Sequence, residues 1–143
     1  TGTTIIPNPK LRSIYDREHA AFGKTPNRFG MIMTEAAYSG GQEWLDQLMH
    51  YLEKNKSLFT NAMKSLHNVK VFDLESTYLA WVDFSQLDIT ELKLKDMLIK
   101  EAGVAPSFGS GFGKNSGKFA RFNIACRTEI LDLAINRLTK TFL

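Results

Sequence analysis

Apolar residues between positions 31 and 66 recur at the three- and four-residue spacing of an amphipathic helix. The pair Gly40-Gly41 predicts a break in this helix, because two glycines cost about 2 kcal/mol of helix stability relative to alanines. The helix is expected to end near positions 67–68. Its apolar stripe consists of Trp44, Leu45, Leu48, Leu52, Phe59, Met63 and Leu66.

After position 68 the pattern changes to alternation, and segments 69–73 and 77–84 predict two strands. Thr90 predicts a helix N-cap and Gly103 the end of that helix. GVAPSF and KFARFNIA predict two more strands around a Gly-rich loop, and a last helix follows Thr128. From about residue 45 the predicted fold class is therefore α/β. A small mixed sheet of about four strands packs with a long N-terminal helix and a C-terminal helix.

We expect the segment before position 44 to form no hydrophobic core of its own. Its apolar residues are sparse, so we expect them to pack on something outside the segment. They include Ile5, Ile6, Tyr15, Phe22 and Phe29. The chain also begins with Thr1 rather than Met, which predicts that it was processed or cut from a longer protein.

Composition adds a few limits to this picture. The 143 residues are 43% apolar and carry a net charge of +3, values ordinary for a soluble globular protein. No apolar run approaches the roughly 18 residues of a membrane span, and no signal peptide opens the chain. One Cys and three scattered His predict neither a disulfide framework nor a metal site, and favour a cytoplasmic location.

The Gly-rich segment at 109–118 does not match a nucleotide phosphate loop. Phe108 stands where that motif needs glycine, and Asn115 follows Gly113-Lys114 where it needs Ser or Thr. The dinucleotide pattern of three spaced glycines also fails, because Lys114 and Ser116 occupy the third-glycine positions. We expect a mobile loop between two strands instead.

Cations and aromatic rings interleave near this loop, which loosely resembles a surface that binds single-stranded nucleic acid. They are Lys114, Lys118, Arg121 and Arg127 with Phe112, Phe119 and Phe122. Strand alternation, however, places Phe122 and Ile124 on one face and Phe119 and Arg121 on the other. Phe122 and Ile124 are then core residues, which favours a role other than nucleic-acid binding. A stand-alone basic binding module remains the alternative.

Arg121 is unusual because it lies in the middle of a strand, between apolar neighbours. It can be a surface or ion-paired structural arginine. It can also be a clamp, since a guanidinium offers two parallel donors that match a carboxylate and lysine does not. The pattern alone leaves both interpretations open.

Four segments in order resemble one family along nearly the whole chain: IIPNPKLR, AAYSGGQEWLDQLMHYLEKN, STYLAWVDF and EAGVAPSFGSGFGKNSGKFARFNIAC. They resemble the C-terminal part of pyridoxal-phosphate-dependent C–S lyases, the cystathionine β-lyase/cystalysin-like branch of the fold-type-I enzymes. Class I/II aminotransferases are the nearest alternative. The resemblance implies that residues 1–43 end a large cofactor-binding domain and that residues 44–143 form the small C-terminal domain.

The resemblance also implies roles for individual residues. Arg121 would bind the α-carboxylate of the substrate, and Phe112 and Gly113 would belong to a loop that covers the active site. Tyr78 would lie near the substrate entrance. Asn27, in the TPN stretch, would lie near the dimer interface and the cofactor of the neighbouring subunit. Family members often carry a bulky aromatic residue where this chain has Gly111, so the substrate side chain would be contacted differently.

The implied reaction of the parent enzyme is α,β-elimination of a sulfur amino acid such as cystathionine or cysteine, which yields a thiol, pyruvate and ammonia. The implied cofactor is pyridoxal 5'-phosphate and the implied assembly is a homodimer. In this family the Schiff-base lysine follows a serine, and none of the twelve lysines here does. We therefore expect no catalytic residue in this stretch, no metal, and no activity from these residues alone.

Overall fold

The computed structural model describes residues 2–23 and 25–143. The chain forms two compact units, Thr1–Gln47 and Leu48–Leu143. Within the described residues, no helix is both long and apolar enough to span a bilayer.

The first unit consists of α1 (Pro9–Ala21), α2 (Arg28–Gly40) and the first turns of α3 (Gln42–Lys64). The predicted helix break at Gly40-Gly41 is confirmed. A Cβ at Gly41 would lie 2.5 Å from the carbonyl oxygen of Ala37, so this close approach requires glycine. Neither α1 nor α2 buries a residue, which confirms that the opening segment builds no core of its own.

The second unit contains a sheet of four strands: β1 (Lys70–Val71), β2 (Leu79–Asp83), β3 (Ser107–Phe108) and β4 (Phe119–Asn123). Their order is β1-β2-β4-β3, and every neighbouring pair is antiparallel. The prediction of a mixed sheet is therefore wrong, because no two neighbouring strands are parallel. Strands β2 and β3 do run parallel to each other, but β4 lies between them and pairs antiparallel with both.

One face of this sheet packs against the later part of α3 and against α5 (Thr128–Phe142). Inward residues alternate along β2 and β4, as the predicted alternation requires. The ring of Phe59 on α3 packs against that of Phe122, with centroids 5.3 Å apart. The buried core comprises Phe59, Met63, Leu66, Val71, Ala80, Val82, Phe84, Leu94, Leu98, Ala102, Ala120, Phe122, Ile124, Leu131 and Leu138.

Helix α4 (Glu91–Asp96) connects β2 to β3 and continues as a π-helical turn, Met97–Glu101. The predicted cap is confirmed, because the Thr90 hydroxyl accepts a hydrogen bond from the Lys93 amide at 3.2 Å. The predicted end is confirmed too. Gly103 adopts φ +65°, the left-handed conformation that terminates helices and favours glycine.

A buried amide ties α3 to the segment that follows β4. The Asn55 side chain is fully buried, and its Nδ2 donates to the carbonyl oxygens of Ile124 and Cys126, both at 2.9 Å. Its Oδ1 accepts from the Thr128 hydroxyl at 3.0 Å. These three bonds hold the chain between β4 and α5, and so fix the end of the strand that carries Arg121.

Candidate functional site

Arg121 lies in the interior of the sheet, on the face opposite the core. Its backbone pairs with Trp81 of β2 on one side and Ser107 of β3 on the other. Its inward neighbours Ala120 and Phe122 are buried. The predicted division of this strand, with Phe122 on the core face and Arg121 on the opposite face, is confirmed.

The guanidinium of Arg121 is covered on one face and makes one long hydrogen bond at its edge. Its Cζ lies 4.6 Å from the ring centroid of Phe112, a cation–π contact. Nη2 donates one long hydrogen bond to the Ser107 hydroxyl, at 3.4 Å. Nε is buried, and it has no hydrogen-bond partner among the residues that the structure describes. Buried donors are rarely left unpaired, since each costs about 1–3 kcal/mol.

This geometry bears on the two interpretations of Arg121 that the sequence left open. Within residues 2–23 and 25–143, no carboxylate forms an ion pair with Arg121. A structural ion pair therefore does not explain it within that part of the chain. Nε and Nη2 are two donors on one guanidinium whose capacity is largely unused, which is the arrangement that a bidentate carboxylate satisfies.

An aromatic row runs across the same face of the sheet; we use this name for Phe72, Phe119, Trp81 and Phe112. Trp81 stacks on Phe119 with centroids 5.8 Å apart. Its other neighbour is Phe112, edge-on at 5.3 Å and 86°. Phe72 continues the row beyond Phe119, at 6.4 Å. The row ends at Arg121, so the guanidinium sits at the border of an apolar surface.

The Gly-rich loop between β3 and β4 carries Phe112 and is attached to α4. Glu91 at the start of α4 pairs with Lys95 at 2.6 Å. Hydrogen bonds from Lys95 and from Ser110 in the loop lower the pKa of the Glu91 carboxyl group below its ordinary value. A side chain at Gly117 would collide with this carboxylate, so the loop lies directly against it. The loop is thus held at two points on either side of Phe112.

Gly109 and Gly111 provide a matched test of this loop. A Cβ at Gly109 would overlap the carbonyl oxygen of Ser116 and lie 2.8 Å from that of Phe119, whereas one at Gly111 would meet open space. We expect Gly109→Ala to lower the free energy of unfolding by about 1–3 kcal/mol, the usual cost of overpacking. Gly111→Ala should leave it unchanged, as measured by urea denaturation. Equal effects of the two substitutions would mean that the loop is not packed in this way.

Tyr78 lies away from Arg121. It lines a separate, mainly apolar pocket of about 270 Å³ beside α3, together with Leu52 and Ile124. The residue before it, Thr77, adopts φ +64°, which is strained for a β-branched residue. The structure therefore does not bring Tyr78 and Arg121 to one point, and the entrance role of Tyr78 stays a prediction.

No family model matches this chain, but individual proteins do. It is 32% identical over 113 residues to cystathionine β-lyase PatB of Bacillus subtilis; the match covers 78% of this chain and 29% of that protein. Cystalysin from Treponema denticola, a structure that contains pyridoxal 5'-phosphate, superposes with a TM-score of 0.82 at 27% identity, over 96% of this chain and 35% of that one.

The chain corresponds to the C-terminal part of the pyridoxal-phosphate-dependent C–S lyases. It spans about 29% of the length of PatB. Alanine aminotransferase from Pyrococcus furiosus superposes almost as well, with a TM-score of 0.81 over 95% of this chain and 35% of that one. Its identity is only 18%, so this match shows the shared fold-type-I fold alone.

Among the residues that the resemblance to C–S lyases singled out, the structure brings Phe112 and Arg121 into contact. Gly113 follows Phe112 in the same loop, where a Cβ would lie 3.5 Å from the Ser116 hydroxyl. Asn27 caps α2 in the first unit, its Oδ1 accepting from the amides of Phe29 and Gly30. The roles of these residues toward substrate or cofactor stay predictions.

Sequence reasoning missed Trp81 and Ser107, the cross-strand partners of Arg121. The alternation of β2 could have indicated Trp81, because this residue occupies one of the outward-facing positions of that predicted strand. Its place opposite Arg121 depends on strand register, which the residues of β2 alone do not reveal. Ser107 had no such signal, since β3 is only two residues long.

Proposed function

We propose that the full-length protein containing this chain is a pyridoxal-phosphate-dependent C–S β-lyase. It converts a sulfur amino acid such as cystathionine or cysteine to a thiol, pyruvate and ammonia. In this proposal Arg121 binds the α-carboxylate of the substrate. The observation that carries the proposal is the buried Nε of Arg121, in a strand of a fold shared with cystalysin, which lacks an acceptor within residues 2–23 and 25–143.

Arg121 contributes binding and orientation. A carboxylate held by two donors of one guanidinium can neither rotate nor tilt freely, so the Cα–H bond of the amino acid takes a defined direction. Misplacing a reacting group by about 1 Å can cost about 10²-fold in rate. Phe112 covers the guanidinium face and keeps water from it, which strengthens the remaining in-plane interactions.

The residues of this chain fit the substrate side of such a site better than the cofactor side. Arg121 offers donors for a carboxylate, whereas no lysine here follows a serine. The cofactor would therefore be held mainly by residues outside this sequence, with Asn27 contributing to the site of a neighbouring subunit. Bound pyridoxal phosphate would withdraw electrons from Cα, so that the proton leaves and the thiol is expelled from Cβ.

The proposal also covers the domain organisation, the assembly and the location of the full-length protein. Residues 1–43 end a large cofactor-binding domain, residues 44–143 form the small domain, and the enzyme acts as a cytoplasmic homodimer. The absence of a core in α1 and α2 supports the first part, because their exposed apolar residues need a surface to pack on. The single Cys is compatible with a reducing compartment.

Product analysis tests the proposed reaction. The full-length protein loaded with cofactor should release pyruvate and ammonia in equal amounts from cystathionine, together with one thiol. The 143 residues alone should release none of these. A class I/II aminotransferase would instead produce a keto acid that retains the sulfur side chain, and would need an acceptor keto acid. That outcome would replace the lyase with the aminotransferase alternative.

A further inference from the structure

Trp81 is the member of the aromatic row that lies next to both Arg121 and Phe112. It is the cross-strand partner of Arg121 in the β2–β4 register, and its ring packs edge-on against that of Phe112. Phe112 in turn lies over the guanidinium. Trp81 is therefore placed to act on Arg121 through Phe112.

Phe112 needs such support because its own attachment is slight. Its side chain is 52% exposed, and it follows a single 3-10 turn, Gly109–Gly111, in the Gly-rich loop. Its amide donates to Gly109 within the same turn, at 2.7 Å. A half-exposed ring on a Gly-rich loop samples several rotamers unless a neighbour restrains it.

Trp81 provides that restraint from a rigid position. It lies inside β2, and Phe119 stacks on its ring at 5.8 Å. The perpendicular geometry of Trp81 and Phe112, 86° at 5.3 Å, is the favoured edge-to-face arrangement of aromatic pairs. The sheet thus anchors Trp81, and Trp81 sets the ring of Phe112.

We propose that Trp81 is a positioning residue, which holds Phe112 over the face of the Arg121 guanidinium and so keeps Nε and Nη2 aligned for a carboxylate. The inference rests on the proposed carboxylate-binding role of Arg121. Loss of Trp81 would release Phe112, let water reach Nε and weaken carboxylate binding.

Arginine side-chain NMR on the full-length protein tests the positioning directly. Protons over an aromatic ring resonate upfield, so the Nε–H signal of Arg121, assigned with Arg121→Lys, reports the Phe112 ring. Phe112→Leu should move this signal downfield, and Trp81→Leu should move it by a similar amount. The double variant should move it no further, because both substitutions remove one coupled contact.

Two further variants make the result decisive. Trp81→Phe retains an aromatic edge and should keep the wild-type signal, and it remains informative if Trp81→Leu fails to fold. Trp44→Leu alters the other, 67% exposed tryptophan and should change nothing. An unmoved Arg121 signal in Trp81→Leu, shifts that add in the double variant, or a Trp81→Phe signal that moves as far as that of Phe112→Leu would each overturn the inference.

In the full-length enzyme, Trp81→Leu should raise KM about 2- to 12-fold, the range expected for one aromatic pair, with kcat within about twofold. A fall in kcat alone would contradict a positioning role. The two proposals can fail separately. If Arg121→Lys has the kinetics of the wild type, Arg121 does not bind the carboxylate, whatever the NMR shows. If Arg121→Lys is impaired but the Arg121 signal does not change in Trp81→Leu, only the positioning role of Trp81 is wrong.

Discussion

Replacing Arg121 with lysine is expected to reduce kcat/KM of the full-length protein for its amino-acid substrate by about 10- to 100-fold. Lysine keeps the charge but presents a single ammonium, so at least one charge-assisted hydrogen bond is lost, at about 1.5–3 kcal/mol. It also loses the planar surface that packs on Phe112. The loss should lie mainly in KM, measured with steady-state kinetics of pyruvate release.

Arg127→Lys is the matched control for this experiment. Arg127 lies six positions further along the chain, at the start of α5, and is exposed to solvent. Kinetics of this variant should equal those of the wild type. If Arg121→Lys also behaved like the wild type, Arg121 would be structural, and the proposed substrate contact would be wrong.

Replacing Asn55 with leucine is expected to lower the free energy of unfolding by about 2–5 kcal/mol. Leucine has a similar volume, but it removes the donor that the carbonyls of Ile124 and Cys126 share; Cys126 keeps the longer hydrogen bond from the Tyr51 hydroxyl, at 3.3 Å. Each buried group left unsatisfied costs about 1–3 kcal/mol. Urea denaturation followed by circular dichroism measures the change. A loss of this size removes a large part of the stability of a typical domain.

Asn61→Leu tests whether the effect belongs to the site rather than to the residue type. Asn61 lies on the same helix, and its side chain is exposed. This variant should stay within about 0.5 kcal/mol of the wild type, as surface substitutions usually do. Equal destabilisation by both variants would mean that the buried amide does not hold the segment after β4.

The local elements of this chain could be predicted because each depends on neighbouring residues. Thr90 and Gly103 mark the ends of one helical segment through cap chemistry, and Gly40-Gly41 separates two others. Alternation along β4 placed Arg121 on the face opposite Phe122, which the burial of the strand confirms. Even the division of the sheet into a core face and an outward face is thus encoded locally.

Tertiary structure alone decided which elements meet. Periodicity states which side of a strand is buried, but not which strand lies beside it, so the insertion of β4 between β2 and β3 could not be predicted. The burial of Asn55 likewise depends on α3 meeting the turn before α5. Arg121 acquires its Trp81 neighbour when β2 pairs with β4, and its Phe112 cover when the Gly-rich loop folds back over the sheet. The sequence by itself determined the chemical groups and the face on which they lie; long-range contacts, which no local pattern records, determined their arrangement.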